Sequence, residues 1–400
     1  MERRKATFVV AVLFLVVLAA VPAVAGFIKR DGMGFVDSAT SQPFRFGGTN
    51  NYYLHYKPKQ MVNHLFGNAS AYGFNVVRVW GFTDVGNADG SNSVDGIKEG
   101  VFFHFWDGTK PAFNDGPNGL QRLDLVIARA AAYDVKVIVV LTNNWKEFGG
   151  MDQYVRWRNG GGGGHHDDFY TDATIRGWYQ AWVAHVLNRR NVYTGRLYKD
   201  EPAIFAWELA NELRCQGSGD YGTSSACNYG AGAAIITRWV AEMSAYVKSI
   251  DPNHMVAVGD EGFGCFDGNS VGWDWTMDCY AGVDSLGFGR LSSIDFLTAH
   301  LYPSSWSKSV QWADGWIQTH SQWAHQVGKP VVMEEFGITY DQVNIYTQWT
   351  NAMYNAKYNG WSFWMLVTDN YPNYDGFAIS CGSDACRLLA RQAQRLSALP

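Results

Sequence analysis

Charged side chains are scarce in this chain. Asp, Glu, Lys and Arg together make up 17% of its 400 residues, below the roughly 25% that is common in soluble domains. The formal net charge is −5, and the sequence has no long basic run. Because binding to nucleic acid or to an anionic membrane needs concentrated positive charge, the composition argues against both as partners.

Long apolar runs are also absent, except at the N-terminus. Residues 1–25 begin with a basic stretch (2–5), continue through an apolar segment (8–20) and end at a small-residue site (23–25). This layout is typical of a secretory signal peptide. A membrane anchor is the alternative, but the apolar run is shorter than the roughly 20 residues that cross a bilayer. We therefore predict a signal peptide at 1–25, a secreted, extracellular protein, and no membrane association after cleavage.

Cysteine is rare, with six residues in the chain. In an exported protein cysteines usually form disulfides rather than metal or redox sites, and no spacing here resembles a zinc site. The sequence does not choose among the many possible pairings. Pairing between neighbours would close short loops at Cys215–Cys227, Cys265–Cys279 and Cys381–Cys386.

Signatures of nucleotide binding are missing as well. No glycine fingerprint follows the first predicted strand, and the glycine run 160–164 lacks the Lys-Ser/Thr ending of a phosphate-binding loop. The adjacent segment 165–168 (His-His-Asp-Asp) could suggest a metal, but neighbouring histidines in a polar loop are more often solvated. We predict no cofactor and no metal.

The chain does contain a regular alternation of short apolar runs and longer helical patterns. Such alternation indicates a parallel sheet, and eight units favour closure into a single (β/α)8 TIM barrel rather than an open doubly wound sheet. We expect one domain over 26–400 with long loops at the C-terminal face, because the connections after strands two, three and four are long and rich in Gly, Asn and Trp. Strands are predicted at 44–49, 75–80, 135–141, 203–210, 255–259, 294–301, 330–335 and 361–366, and helices at 120–133, 175–187, 235–250, 310–327 and 341–359.

Two acidic motifs end predicted strands far apart in the sequence. Residues 207–212 (Trp-Glu-Leu-Ala-Asn-Glu) close the fourth strand, and residues 331–337 (Val-Val-Met-Glu-Glu-Phe-Gly) close the seventh. A parallel barrel gathers the C-terminal ends of its strands at one mouth, so acids from both motifs can face each other across one pocket. Two facing carboxylates are the working parts of a glycosidase.

Each motif contains two acids, of which one is expected to face the pocket. Glu208 lies deeper along its strand than Glu212 and would need internal partners. Adjacent Glu334 and Glu335 should point to opposite faces of their strand, and Glu335 stands directly before the end of that strand. We therefore predict that Glu212 and Glu335 face the pocket.

Two pairs of residues at other strand ends support this site. Arg78 and Trp80 share parity on the second strand, and a buried Arg needs carboxylate partners. A carboxylate paired with Arg78 would stay ionised because the positive charge lowers its pKa. His300 and Tyr302 share parity at the end of the sixth strand, where two neighbouring polar rings favour a site over a core role.

Taken in order, these residues resemble the signature of glycoside hydrolase family 5. The resemblance runs from about residue 44 to residue 364 and beyond, and its segments are 207–212, 300–302, 335–337 and Trp364. Segments 141–145, 149–155, 214–215 and 259–263 further resemble the endo-β-1,4-mannanases of fungi and plants. One departure is Leu213, where the family usually has Pro.

The resemblance implies a retaining double displacement in which Glu212 is the acid/base and Glu335 the nucleophile. Their carboxyl groups should then lie roughly 5 to 5.5 Å apart, with Glu212 protonated and Glu335 ionised. Supporting roles follow: Asn211 would bond the sugar 2-hydroxyl, Tyr302 would hold Glu335, His300 would join the same network, Trp364 would stack under a sugar, Arg214 would bind hydroxyls on the leaving-group side, and Asn144 and Trp145 would line the groove.

The function implied by the resemblance is an endo-β-mannanase that cleaves internal β-1,4 bonds of mannans, glucomannans and galactomannans. We expect the secreted chain to be a monomer. Its partner would be the polysaccharide. An endo-β-1,4-glucanase of the same family is the alternative, because glucose and mannose differ only in the orientation of the 2-hydroxyl. A non-catalytic polysaccharide-binding protein could keep Trp145 and Trp364 while losing an acid, yet both acids are present here.

Overall fold

The structure of the protein, a computed structural model, describes residues 26–265 and 274–399. The predicted signal peptide at 1–25 lies outside the described residues. Within these two ranges no helix combines the length and the apolar character that crossing a membrane requires.

Strands and helices alternate along the described chain. The strands are β1 (Ile28–Asp31), β2 (Gly34–Asp37), β3 (Pro43–Phe44), β4 (Phe46–Asn51), β5 (Val76–Trp80), β6 (Asp84–Asn87), β7 (His104–Trp106), β8 (Pro111–Phe113), β9 (Lys136–Val140), β10 (Ile204–Glu208), β11 (Met255–Ala257), β12 (Leu297–Leu301), β13 (Val331–Phe336), β14 (Gly360–Phe363), β15 (Leu366–Val367) and β16 (Ile379–Ser380). The helices are α1 (Lys59–Tyr72), α2 (Gln121–Ala132), α3 (Gly150–Asn159), α4 (Asp168–Thr171), α5 (Ala173–Leu187), α6 (Tyr229–Ile250), α7 (Ser285–Arg290), α8 (Trp312–Val327), α9 (Gln342–Asn355) and α10 (Asp384–Ser397).

Eight of the strands form one parallel sheet in the order β11-β10-β9-β5-β4-β14-β13-β12. The regular ladder stops between β11 and β12, but the main chain bridges the gap. Asp295 N donates to Val256 O at 2.8 Å, and His300 N donates to Glu261 O at 3.0 Å. Each of the eight strands is followed by an outer helix. The predicted (β/α)8 TIM barrel is confirmed, and every predicted strand overlaps an observed one.

The N-terminal end of the barrel is closed by aromatic packing. The antiparallel sheet β1-β2-β3 carries Phe35, whose ring meets Phe205 and Phe296 edge-on at centroid distances of 5.2 and 5.5 Å. Inside the barrel, Ile138 and Val332 join the same buried cluster. Because this end is plugged, the opposite, C-terminal end is the one that can open to a ligand.

The predicted long loops lie at that C-terminal end. The connection after β5 contains the small sheet β6-β7-β8, and the connection after β9 contains α3 and α4. The connection after β10 is closed by the Cys215–Cys227 disulfide, and a second disulfide joins Cys265 to Cys279. Both pairings agree with the prediction.

The third predicted disulfide is wrong for this structure. Cys381 and Cys386 are free thiols whose sulfur atoms lie 3.7 Å apart, whereas a disulfide bond is about 2.05 Å long. Cys386 lies in the first turn of α10, where its backbone N–H is bonded to the capping side chain of Ser383. The start of the helix therefore holds the two thiols at hydrogen-bonding distance.

Replacement of Phe35 should destabilise the fold. We expect Phe35→Ala to lower the free energy of unfolding by roughly 3–5 kcal/mol, because it opens a cavity in the aromatic plug. Urea denaturation of the mature protein measures this change. Met33→Ala, at a neighbouring position that is 37% exposed, is the control and should cost less than about 0.5 kcal/mol. Equal effects of the two variants would contradict the plug.

Candidate active site

The C-terminal ends of the barrel strands surround a cleft of about 920 Å³. Acids lie at its centre and aromatic rings toward its ends. Eight of the predicted site residues line it: Trp80, Trp145, Asn211, Glu212, Arg214, Tyr302, Glu335 and Trp364. Three others, Arg78, Asn144 and His300, are fully buried behind the cleft wall and act on it only through their neighbours.

Glu212 and Glu335 face each other at the centre of the cleft. A carboxylate oxygen of each and a ring nitrogen of His300 all lie within 4.8 Å of one another. The two acids come from loops and strands far apart in the sequence, so only barrel closure brings them together. This separation is compatible with the short distance between carboxyl groups that double displacement requires.

The backbone at Glu212 adopts a conformation that is uncommon for a residue with a side chain. Its φ is +53°, in the left-handed region, and its N–H donates to Gly259 O at 2.8 Å. Gly259 must be glycine here, since a Cβ would lie 2.2 Å from Ala210 O. The close packing of the loops after β10 and β11 therefore holds Glu212 at the mouth.

Both oxygens of Glu212 accept hydrogen bonds. Trp145 Nε1 donates to Oε2 at 2.6 Å, and His300 Nδ1 lies 2.7 Å from Oε1. Burial by itself would raise the pKa of Glu212, but the hydrogen bond and charge of His300, together with Arg214 and Trp145, lower that pKa to about 2. Protonated His300 thus makes Glu212 an ionised group, contrary to the expectation of a protonated acid.

Glu335 also has two donors. Arg78 Nη1 donates to Oε1 at 2.5 Å, and the Tyr302 hydroxyl donates to Oε2 at 2.8 Å. Burial raises the pKa of Glu335 above its ordinary value, while His300, Arg78 and Tyr302 act to lower it. As long as His300 is protonated, Glu335 therefore has the higher pKa and Glu212 the lower one. This is the reverse of the order that the sequence predicted. Burial opposes that charge, yet Glu335 and Glu212 raise the pKa of His300 well above its ordinary value.

Arg78 lies inside the barrel and bonds to the carboxylates of both Glu208 and Glu335. Its Nε donates to Glu208 Oε2 at 2.7 Å, and its Nη2 donates to Asn211 Oδ1 at 2.9 Å. The guanidinium also lies 5.0 Å from the ring centre of Trp80. The predicted pairing of buried Arg78 with acids is thus present, and Glu208 has the internal partner that its depth required.

The prediction that Glu334 and Glu335 point to opposite faces is wrong at this position. Strands β12 and β13 pair Ala299 with Met333 and then His300 with Glu335, so Glu334 is left without an opposing residue. Such a β-bulge interrupts the alternation of side chains. Both acids consequently approach the same imidazole: His300 Nε2 is 3.9 Å from Glu334 Oε2, and Nδ1 is 3.6 Å from Glu335 Oε2. Only Glu335 lines the cleft.

His166, expected to be solvated, and Asn144, predicted to line the groove, are both buried. His166 is enclosed, with Nδ1 2.6 Å from Asp152 Oδ1 and Nε2 3.0 Å from Asn144 Oδ1. Asn144 does not line the groove, because its oxygen also accepts from the Arg214 backbone N–H at 2.9 Å. The connection after β9 folds back over the barrel, so these side chains satisfy one another and hold the chain at Arg214.

Arg214 lies at one end of the cleft in an aromatic setting. It pairs with Glu261 through two hydrogen bonds of 2.6 and 2.5 Å. Its guanidinium carbon lies 4.7 Å from the ring centre of Phe263 and 5.2 Å from that of Trp145. Leu213, the departure from the family pattern, is fully buried. The burial of Leu213 and the hydrogen bond that the Arg214 backbone N–H donates to Asn144 thus position Arg214 without a proline.

The other end of the cleft contains rings that the sequence did not single out. Trp364 stacks on Tyr52 at a centroid distance of 5.8 Å, and its Nε1 donates to Asp375 at 2.8 Å. Tyr56, Tyr371, Tyr374 and Phe377 complete this wall. The available signal was the density of tyrosines in the loops after the first and last barrel strands.

The central acids are a poor fit to a metal ion. Glu212, His300 and Glu335 offer atoms at a spacing that a cation could use. However, the Glu335 oxygens already accept bonds from Arg78 and Tyr302, and a further cation would repel Arg78. The set suits proton transfer and nucleophilic attack by carboxylates.

Loss of the Tyr302 hydroxyl should raise the pKa of Glu335. In Tyr302→Phe we expect a rise of about one unit, because a hydrogen bond to a charged group contributes roughly 1.5–3 kcal/mol. Protonation of Glu335 then begins at a higher pH than in the wild type. Titration of ¹³Cδ-labelled glutamates by NMR measures this. Tyr374→Phe, at a position that is 75% exposed, is the control. An unchanged Glu335 titration in Tyr302→Phe would refute the role of the hydroxyl.

Comparisons with known proteins identify the family of this chain. A family model described as GH family 5 beta-mannosidase-like matches residues 109–376. A probable mannan endo-1,4-beta-mannosidase A of Aspergillus flavus is 34% identical over 82% of this chain and 76% of its own length. A mannan endo-1,4-beta-mannosidase A of Podospora anserina is 32% identical, with 89% and 88% covered. The crystal structure of an endo-1,4-beta-mannanase from Rhizomucor miehei superposes with a TM-score of 0.84 at 38% identity, with 93% and 99% covered. The chain therefore belongs to glycoside hydrolase family 5, among its beta-mannosidase-like members.

Proposed function

We propose that this protein is an endo-β-1,4-mannanase that hydrolyses internal bonds of mannans, glucomannans and galactomannans with retention of configuration. Relatives named as endo-mannosidases and endo-mannanases, similar over most of both chains, support the activity. The observation that carries the proposal is the facing pair Glu212 and Glu335, of which one carboxylate oxygen each lies within 4.8 Å of the other. Each acid is held by its own donors.

In the first step Glu335 attacks the anomeric carbon of the sugar. Arg78 and Tyr302 each occupy one oxygen of Glu335 and so orient the carboxylate and support its charge. Glu212 donates a proton to the departing glycosidic oxygen, which leaves a glycosyl-enzyme bound to Glu335. In the second step Glu212 takes a proton from water, and the resulting hydroxide displaces Glu335.

The proton that Glu212 donates has a nearby source. His300 Nδ1 lies 2.7 Å from Glu212 Oε1, so a proton can move from nitrogen to oxygen while the electron pair of the N–H bond remains on nitrogen. Once this proton is on Glu212, the positive charge of His300, which contributed to the low pKa of Glu212, is gone. The roles of acid and nucleophile then match their protonation states.

Sugar recognition combines hydrogen bonds from polar side chains with stacking on aromatic rings. Asn211 donates one N–H to Asn143 Oδ1 at 3.0 Å, which leaves its second N–H for the sugar 2-hydroxyl. Trp364 provides a stacking floor on the non-reducing side. Arg214 and Trp145 bind hydroxyls and rings on the leaving-group side.

The protein is further proposed to be secreted and monomeric. The sequence pattern of residues 1–25 and the disulfides Cys215–Cys227 and Cys265–Cys279 support an extracellular location, because disulfides persist in oxidising compartments.

Loss of either acid should abolish hydrolysis. We expect Glu335→Ala and Glu212→Ala to reduce reducing-sugar release from linear mannan and glucomannan by at least about 10³-fold. Glu147→Ala removes an acid from the rim of the same cleft and should change the rate by less than about threefold. If folded Glu335→Ala retains the wild-type rate, Glu335 is not the nucleophile.

Carboxymethylcellulose, tested in the same assay, separates the alternatives. Hydrolysis of carboxymethylcellulose alone would indicate a glucanase that uses the same acids. No hydrolysis of any of the three polymers by the folded wild type would indicate a polysaccharide-binding protein.

The stereochemistry tests the double displacement. Because the carboxylates are close, the first product seen by ¹H NMR should be the β-anomer, with the α-anomer appearing later by mutarotation. An α-anomer as first product would indicate single displacement by water.

A further inference from the structure

Glu334 is a buried acid beneath the active site that the mechanism above does not use. Among the described residues, neither oxygen of Glu334 has a hydrogen-bond partner, and the same is true of Glu208 Oε1 and His300 Nε2. Buried polar atoms are normally paired. Ionised carboxylates only accept hydrogen bonds, so two of them cannot bond to each other, whereas a protonated carboxyl supplies an O–H donor.

The charges around Glu334 also favour an additional proton, which would reduce the excess of acids over cations. The cations of this buried cluster are Arg78 and protonated His300, which belong to β5 and β12. The acids that face them are Glu208, Glu212, Glu334 and Glu335; Asp260, with a pKa raised to about 6 by burial, and Glu261, paired with Arg214, adjoin the cluster. Four ionised carboxylates against two cations would leave excess negative charge in a buried site, which is costly.

Glu334 is the acid best placed to carry that proton. Glu208 has Arg78 at 2.7 Å, and Glu335 has Arg78 at 2.5 Å. Glu334 has only the longer 3.9 Å approach to His300. Burial and the charge of Glu208 raise the pKa of Glu334 well above its ordinary value. The β-bulge in β13 is what turns this side chain toward Glu208 and His300.

We propose that Glu334 is protonated in the active enzyme, donates its O–H to Glu208, and acts as a positioning residue for His300. This inference rests on the proposed function, because it concerns the proton that Glu212 donates. With Glu334 neutral, no negative charge beside His300 Nε2 holds that proton on the imidazole, so it can move from Nδ1 to Glu212. An ionised Glu334 beside Nε2 would hold the proton on the imidazole and keep Glu212 from acting as an acid.

Infrared difference spectroscopy tests the protonation state directly. At neutral pH, the wild type minus Glu334→Gln should show the C=O stretch of a protonated carboxyl, which shifts in D₂O. No such band would overturn the proposal. This measurement does not depend on hydrolysis, so a wild type that fails to cleave mannan would refute the proposed function and still leave the protonation of Glu334 decided.

The pH–rate profile tests the positioning role. Glu334→Gln replaces an O–H donor with an N–H donor and changes no charge, so the alkaline limb should stay where it is in the wild type. A shift of that limb to lower pH by about one unit or more would overturn the proposal, since it would make Glu334 an ionised counter-ion of His300.

Glu334→Leu, which removes the donor, is the matched variant. Its kcat should fall by about tenfold with KM unchanged, because Glu334 lies outside the cleft and affects only the proton transfer. Thermal unfolding confirms that each variant is folded. If both folded variants keep the kcat of the wild type, Glu334 serves only packing and the positioning role is refuted.

Discussion

The buried guanidinium of Arg78 is the interaction on which the rest of the site depends. It joins Glu208, Asn211 and Glu335 from two other parts of the barrel within hydrogen-bonding distance. A fully buried charge without partners is destabilising by several kcal/mol, so the acids that surround Arg78 contribute to the stability of the barrel. The same requirement that stabilises the fold therefore places the nucleophile and the sugar-binding amide side by side.

The protons of this cluster belong to the group rather than to single residues. Glu212, Glu335 and His300 interact strongly, and each one's pKa depends on where the shared proton resides. The low pKa of Glu212 reflects a protonated His300, and transfer of one proton over 2.7 Å reverses the assignment. A site of this kind can present a carboxylic acid and a carboxylate at the same pH, which the two steps of double displacement require.

Buried residues in the loops outside the barrel hold in place the segments that carry the cleft residues. His166 and Asn144 are buried and hold the backbone at Arg214. Gly259 lets the loop after β11 pack directly against the backbone of Ala210, close to Glu212. Disulfides brace this same region. Function-bearing loops of a barrel are otherwise the least constrained segments, and these contacts give them the rigidity that a precise arrangement of two acids needs.

Local patterns in the sequence determined the barrel, the strand ends that carry Glu212 and Glu335, and the shared faces of Arg78 with Trp80 and of His300 with Tyr302. These features follow from the two-residue period of strands and the apolar runs of a buried parallel sheet, which are properties of neighbouring residues. The tertiary structure alone decided the bulge that turns Glu334 inward, the burial of His166 and Asn144, the separate thiols of Cys381 and Cys386, and the tyrosine-rich wall beside Trp364. It also decided the pKa order of the acids. Each of these depends on contacts and charges between residues far apart in the chain, and such contacts exist only after the barrel has closed.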